Sequence, residues 1–214
     1  MNVESNKTLG GVGAILMFVG TIPFAGPFTG VISLAGFILI LIALYEFSKI
    51  YNETKIFNNF AYSIVAFIVG AAVAGSVALV AVMTSLKNFL YQIYPTWNGN
   101  WSNLSGLTAN TSNLNMSAIL PFIADLLVVL AIVWITAILV AFFVRKSLKP
   151  LATKTNVGLF STAALLMLIG AFLTIILVGF LLIWVAILLI AIAFFQIKPQ
   201  PEQQFTTSTP QTPS

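Results

Sequence analysis

The chain has 214 residues, 59% hydrophobic and only 7% charged, with a formal net charge of +4 and a mean hydropathy of +1.05. Soluble domains carry about 25% charged residues, so this composition cannot cover a water-facing surface and points to an integral membrane protein. With no Cys and no His, the sequence excludes disulfides, thiolate or imidazole metal sites, His-held haem, and catalysis by a Cys nucleophile or His base. No cofactor is expected, and the small basic excess is confined mostly to one loop, which suits membrane orientation and not nucleic acid.

Residues 1–8 are polar and lack the basic start of a secretory signal, so no cleavage is expected. The first apolar run, 9–22, is short for a span and contains Gly10, Gly11, Gly13 and Gly20. Pro23 and Pro27 bracket a turn signal. The second run, 28–47, matches the ~20 residues that a bilayer requires. Together they predict a tight helical hairpin. The alternative for its first arm is a re-entrant segment, which protein would have to bury because lipid cannot pair bare backbone groups.

A polar connection with Lys49, Glu53 and Lys55 leads into a third run, 59–86, closed by Lys87. Here Ala66, Gly70, Ala74 and Ala78 stand four apart, with Ala71 and Gly75 in a row beside them. Residues at that spacing share a helix face, and small side chains let another backbone approach closely. This helix is expected to be the packing centre of the bundle, within the chain or between copies.

Residues 88–115 form a polar interval with no charge. Trp97 and Trp101 are expected to rest at the membrane interface. Four Asn-x-Ser/Thr sites, at Asn100, Asn103, Asn110 and Asn115, are acceptors for N-glycosylation on an extracytoplasmic surface. Those at Asn6 and Asn52 fall on the side that the charges place inside.

The fourth run, 119–144, carries Pro121 in its first turn, where a missing N–H is harmless. It also carries Asp125, the one ionisable group set well inside a span. Functionally, Asp125 could bind a cation or relay a proton; structurally, it could bond a facing hydroxyl or pair with Lys87 at the same level. Trp134 and Trp184 are expected to pack in the core. The cluster Arg145-Lys146-Ser147-Leu148-Lys149-Pro150, with Lys154, reads as the next connection. The last apolar stretch, 157–197, would be ~61 Å long as one helix, about twice a ~30 Å hydrocarbon core. Two spans joined by a tight turn at 172–178 are therefore expected. The Pro-, Gln- and Thr-rich tail from Lys198 is expected to be disordered.

The sequence thus predicts an all-α polytopic transmembrane helix bundle of about six spans. Its parts are an N-terminal three-span half (1–87), a polar extracytoplasmic loop (88–118), a C-terminal three-span half (119–197) and a cytoplasmic tail (198–214). Lys7, Lys49, Lys55, Arg145, Lys146, Lys149, Lys154 and Lys198 fall on one side of this topology, and only Lys87 on the other. The positive-inside rule then puts both termini in the cytoplasm of a multi-pass cell-membrane protein. A short echo between Leu16-Met17-Phe18-Val19-Gly20 and Leu166-Met167-Leu168-Ile169-Gly170 suggests that the first and last hairpins form a parallel repeat.

At Lys7-Thr8-Leu9-Gly10-Gly11-Val12-Gly13-Ala14 and Tyr51-Asn52-Glu53-Thr54-Lys55-Ile56-Phe57 the chain resembles the archaeal multi-spanning membrane proteins grouped as domain of unknown function 996. The resemblance is clearest over the first hairpin and the connection after it, and looser in the remaining helices. It implies an archaeal integral membrane protein with several helices, and assigns neither an activity nor catalytic residues.

The sequence holds no phosphate loop, nucleotide fingerprint, paired-carboxylate site or metal-ligand spacing, so an enzyme is not expected. Two functions fit what remains. One is a structural or accessory subunit that associates in the bilayer with itself or another membrane protein through helix packing. The other is a small transporter or channel that uses Asp125 to handle a cation or proton.

Overall fold

A computed structural model describes residues 2–22, 26, 28–110, 112 and 115–198. Among these residues the chain is helical, with no strand. The elements are α1 (Val3–Gly20), α2 (Thr29–Ile50), α3 (Thr54–Ala81), a π-turn (Val82–Leu86) running on into α4 (Lys87–Ile93), a 3-10 turn (Trp101–Gly106), α5 (Met116–Thr155), α6 (Leu159–Leu173), a second 3-10 turn (Thr174–Ile176) and α7 (Val178–Phe195). Five stretches are long and apolar enough to cross a membrane: Thr29–Ile50, Thr54–Ile93, Ile119–Thr155, Leu159–Ile176 and Val178–Phe195. The expected disordered tail lies outside the described residues, Lys198 excepted.

α1 is a continuous helix, capped by the Asn2 side chain, which accepts from the Ser5 N–H at 2.9 Å. It lies against α2 and α7. Around the bundle α1 neighbours α2, α2 neighbours α3, α3 neighbours α5, α5 neighbours α6, α6 neighbours α7, and α7 returns to α1. Helices consecutive in the chain therefore close into an up-and-down ring. The core is densest toward the lysine-rich end, where Phe47, Phe160, Phe194, Leu44, Ile56, Leu148 and Leu151 are sealed from solvent. The Phe194 ring sits 6.1 Å from Phe47 and 5.0 Å from Phe160. α1 and α2 approach closely because neither Gly13 nor Gly36 has a side chain; a Cβ on Gly36 would strike the Gly13 carbonyl.

The helices are not of one length. Thr54–Ile93 is a single 40-residue rod and α5 is also 40 residues, about 60 Å each at ~1.5 Å per residue. α1, α2, α6 and α7 have 18, 22, 15 and 18 residues. All meet at the lysine-rich end, so the α3–α5 hairpin projects past the tips of the two short hairpins.

Both long helices exceed their apolar runs. The expected loop 88–118 begins with α4, because nothing breaks the helix before Pro95 and Phe89 stacks on Phe122 with ring centres 5.3 Å apart. The cluster 145–150 is no connection either: α5 runs through it to Thr155, and the true link is Asn156-Val157-Gly158, with Asn156 left-handed at φ 55°. Pro150 does not end the helix, and the structure shows why. Proline lacks the N–H that would bond the carbonyl four residues back, which is that of Lys146. Asn59 Nδ2 on α3 donates to that carbonyl instead, at 3.2 Å. Beside it, Ser147 Oγ donates to the Ile56 carbonyl at 2.5 Å. The last turn falls where expected: α6 ends at Leu173, and Leu177 is left-handed at φ 62°.

Asn59→Ala should lower stability by about 1 kcal/mol in detergent or lipid unfolding experiments, because it leaves the Lys146 carbonyl unpaired. With Pro150→Ala also present, the loss should shrink, since the helix then supplies its own N–H. Strict additivity in this double-mutant cycle would refute the pairing.

Candidate functional site at the tip of the long hairpin

Near its far end the long hairpin carries the only polar contact between α5 and the π-turn among the described residues: Ser85 Oγ donates to Asp125 Oδ2 at 2.5 Å. Gly70 faces Thr136 further down the hairpin. From Gly70 to Ser85 α3 advances 15 residues, while from Thr136 to Asp125 α5 advances only 11. The π-turn, with its wider winding, takes up part of that surplus and sets the register that brings Ser85 onto Asp125.

Lys87 does not join the pair. It stands two residues beyond Ser85, and helical residues two apart do not face the same way. Its ammonium lies 5.9 Å from the centre of the Tyr91 ring. The carboxylate is therefore met by a neutral hydroxyl. Asp125 is 20 residues from Arg145, or ~30 Å along the helix. With Arg145 at one edge of a ~30 Å hydrocarbon core, Asp125 reaches the other edge.

Above it the interval folds into a small cap. Trp97 is 4% exposed; its ring lies 5.0 Å from Tyr91 and 5.1 Å from Trp101, and its Nε1 donates to the Asn100 carbonyl at 2.7 Å. Trp97 is thus the centre of the cap, while Trp101 is exposed. The Ile93 carbonyl accepts the Asn110 N–H at 2.7 Å, and Gln92 Oε1 accepts the Asn115 N–H at 3.2 Å. Asn100, Asn110 and Asn115 each use Oδ1 to accept the backbone N–H two residues on, at 3.1, 3.0 and 3.3 Å. These are Asx turns, which the Asn-rich composition encodes locally. They and Asn103 are all exposed.

On α3, Ala74 is buried and Ala66, Gly70 and Ala78 are half-buried. A Cβ on Gly70 would meet the Thr136 side chain, so α5 of the same chain occupies this face at Gly70. The second row is open: Ala71 and Gly75 are exposed, and nothing lies within 4 Å of a Cβ built on Gly75.

Four polar side chains have surroundings that no motif signals. Trp134 Nε1 donates to the Phe172 carbonyl at 3.2 Å, and Trp184 Nε1 to the Phe18 carbonyl at 3.3 Å. A tryptophan in an apolar run was the available signal, since its N–H needs a partner when buried. Asn6 is fully buried, and neither of its side-chain polar atoms is bonded among the described residues, so the acceptor amide of this glycosylation motif is covered, although Thr8 is exposed. The Tyr51 hydroxyl is also buried without a partner among the described residues, and burial pushes that phenol above its ordinary pKa.

Fold and polar placement together define a polytopic helical membrane protein. A family model described as "Protein of unknown function (DUF996)" matches residues 32–188, from α2 into α7, and the chain belongs to this family. The match takes in Tyr51–Phe57 and begins after Lys7–Ala14. The chain is also 28% identical over 197 residues to an uncharacterized protein, MJ1644, of the archaeon Methanocaldococcus jannaschii, covering 92% of this chain and 94% of that one. No solved structure matches the chain.

Replacing Asn6 by Leu, of similar size, removes two unbonded polar atoms from the core and should raise stability by about 1–2 kcal/mol. Thermal unfolding of the purified variant reads this directly; a lower midpoint would mean that Asn6 has a bonded partner.

Proposed function

We propose that the protein is a non-enzymatic structural or accessory subunit of the cell membrane that associates with a second copy or another membrane protein along the open row of α3. The observation that carries this reading is the vacant Cβ position of Gly75, one turn from exposed Ala71. It lies on a helix whose other small-residue row α5 already meets. On the same side of the helix Ile68 and Leu79 are exposed, at 59% and 63%. In a bilayer, such a row permits close backbone approach and packing by dispersion. The asymmetry of Lys and Arg supports cytoplasmic termini. The cap then faces outward, and its four exposed Asn amides are the candidate glycan acceptors.

Native mass spectrometry of the protein gently extracted from its own membranes tests this. The expected spectrum shows a multimer or a fixed companion, with glycan mass on the chain. Gly75→Leu should dissociate that complex without lowering the unfolding midpoint of the monomer, because a Cβ there has nothing within 4 Å and leucine favours the helix over glycine. A single-chain mass for the wild type would overturn the reading.

A second reading, a small transporter or channel, is favoured by one observation: a carboxylate beside a π-turn, a distortion frequent at functional sites. In proteoliposomes, Asp125→Asn should then abolish cation- or proton-coupled flux while keeping the Ser85 contact and the fold. Equal flux in both proteins would end this reading.

A further inference from the structure

We infer that the α6–α7 turn never reaches the far surface of the membrane: it ends within the hydrocarbon, and acyl chains of the far leaflet cover the α3–α5 hairpin above it. Depth is the first argument. The Trp134–Phe172 hydrogen bond ties the end of α6 to a known level of α5. Trp134 lies 11 residues from Arg145, or ~16 Å. That level falls short of the far side of a ~30 Å hydrocarbon core. Leu159–Ile176, α6 with its 3-10 turn, has 18 residues, but it starts beside the part of α5 that runs past Arg145 to Thr155, so its first turns do not add depth. Beyond Trp134, α5 continues toward the cap with Ile123, Leu126, Leu127, Val128, Leu130 and Val133, all between 42% and 60% exposed. A surface so apolar is continuous with the bilayer-facing belt below and fits acyl chains.

Composition is the second argument. Loops that emerge into water are built from Gly, Pro, Asn, Asp and Ser, as the cap is. The α6–α7 turn reads Phe172-Leu173-Thr174-Ile175-Ile176-Leu177-Val178, and no charged residue occurs between Lys154 and Lys198. Its side chains point outward: Ile175 is 66% exposed, Ile176 59% and Leu177 73%. Such a tip would be unfavourable in water.

The backbone supplies the third argument. In hydrocarbon, polar backbone groups at a turn must be paired within the protein. The Ala171 carbonyl accepts the Thr174 hydroxyl at 2.8 Å, and the Phe172 carbonyl accepts the Trp134 indole. The Thr174 carbonyl accepts the Leu177 N–H at 3.1 Å, and the Leu177 carbonyl accepts the Phe180 N–H at 3.1 Å. Four carbonyls at this turn are thus met by donors of the turn itself, of α7 or of α5, which lowers the cost of holding it out of water.

The chain has no cysteine, so single cysteines report depth without background. Asn103→Cys in the cap, Asn58→Cys near the lysine-rich end and Ile175→Cys at the turn are placed in the full-length protein in proteoliposomes. Each is reacted with a charged, membrane-impermeant maleimide from one side and then from both. Asn103→Cys and Asn58→Cys should each label from one side only. Ile175→Cys should react at least tenfold more slowly from either side, and fully after denaturation in SDS. Labelling of Ile175→Cys from the Asn103 side at the Asn103 rate would overturn the inference. A nitroxide on Ile176→Cys gives a second reading. Collision with oxygen exceeding that with a water-soluble nickel chelate supports a tip in hydrocarbon; the reverse order rejects it.

Discussion

A carbonyl that its own helix leaves without a donor needs a partner from elsewhere, and the architecture depends on how such carbonyls are met. Pro150 strips the Lys146 carbonyl of its partner, and Asn59 replaces it across the α3–α5 contact. Without that bond α5 would be expected to bend or stop near the charge cluster. With it, the helix continues to Thr155, and Ser147, Leu148 and Leu151 all join the core. The same problem recurs at the ends of α1 and α6. There two tryptophans, from α7 and α5, cover the Phe18 and Phe172 carbonyls. These bonds tie α7 to α1 and α5 to α6, two of the junctions that close the ring.

Helix length then separates two kinds of structure. The short hairpins hold the close glycine approaches at Gly13 and Gly36 and share the sealed aromatic core. The long hairpin carries nearly all the polarity remote from the lysine-rich end: Asp125 with Ser85, Lys87 with Tyr91, and the asparagine-rich cap. Asp125 illustrates why depth matters. Counting residues along α5 puts it close to a hydrocarbon boundary, where headgroups and water reduce the penalty on a charge. A neutral hydroxyl at 2.5 Å is then a sufficient partner. This favours a protein whose business is contact over one with a polar path through its middle, and it directs attention to the open row of α3.

Much of this was legible in the residues. Apolar runs of bilayer length, the turn near Thr174, the spacing of Ala66, Gly70, Ala74 and Ala78, and the family resemblance at Tyr51–Phe57 are local signals. Each depends on a few neighbours in the chain. The candidate site was only half visible. Asp125 stands out by charge alone, and its place in the span allows a facing hydroxyl or Lys87 as its partner. Which partner it takes depends on the π-turn, and no motif announces that distortion. Lys87 matched it in level but not in direction, a distinction of helical phase that two residues decide.

Composition and hydrophobic pattern by themselves determined a helical membrane protein, its charge asymmetry and the order of its apolar segments, because those follow from the transfer of side chains and backbone out of water. Only the tertiary structure decided where the helices end, which small-residue row is already used, and which carbonyls need help from another helix. These are settled by atoms far apart in sequence: Asn59 beside Lys146, Gly70 beside Thr136, Trp134 beside Phe172. A hydrogen bond or close contact between distant segments leaves no period in the chain, so it appears only once the helices are packed.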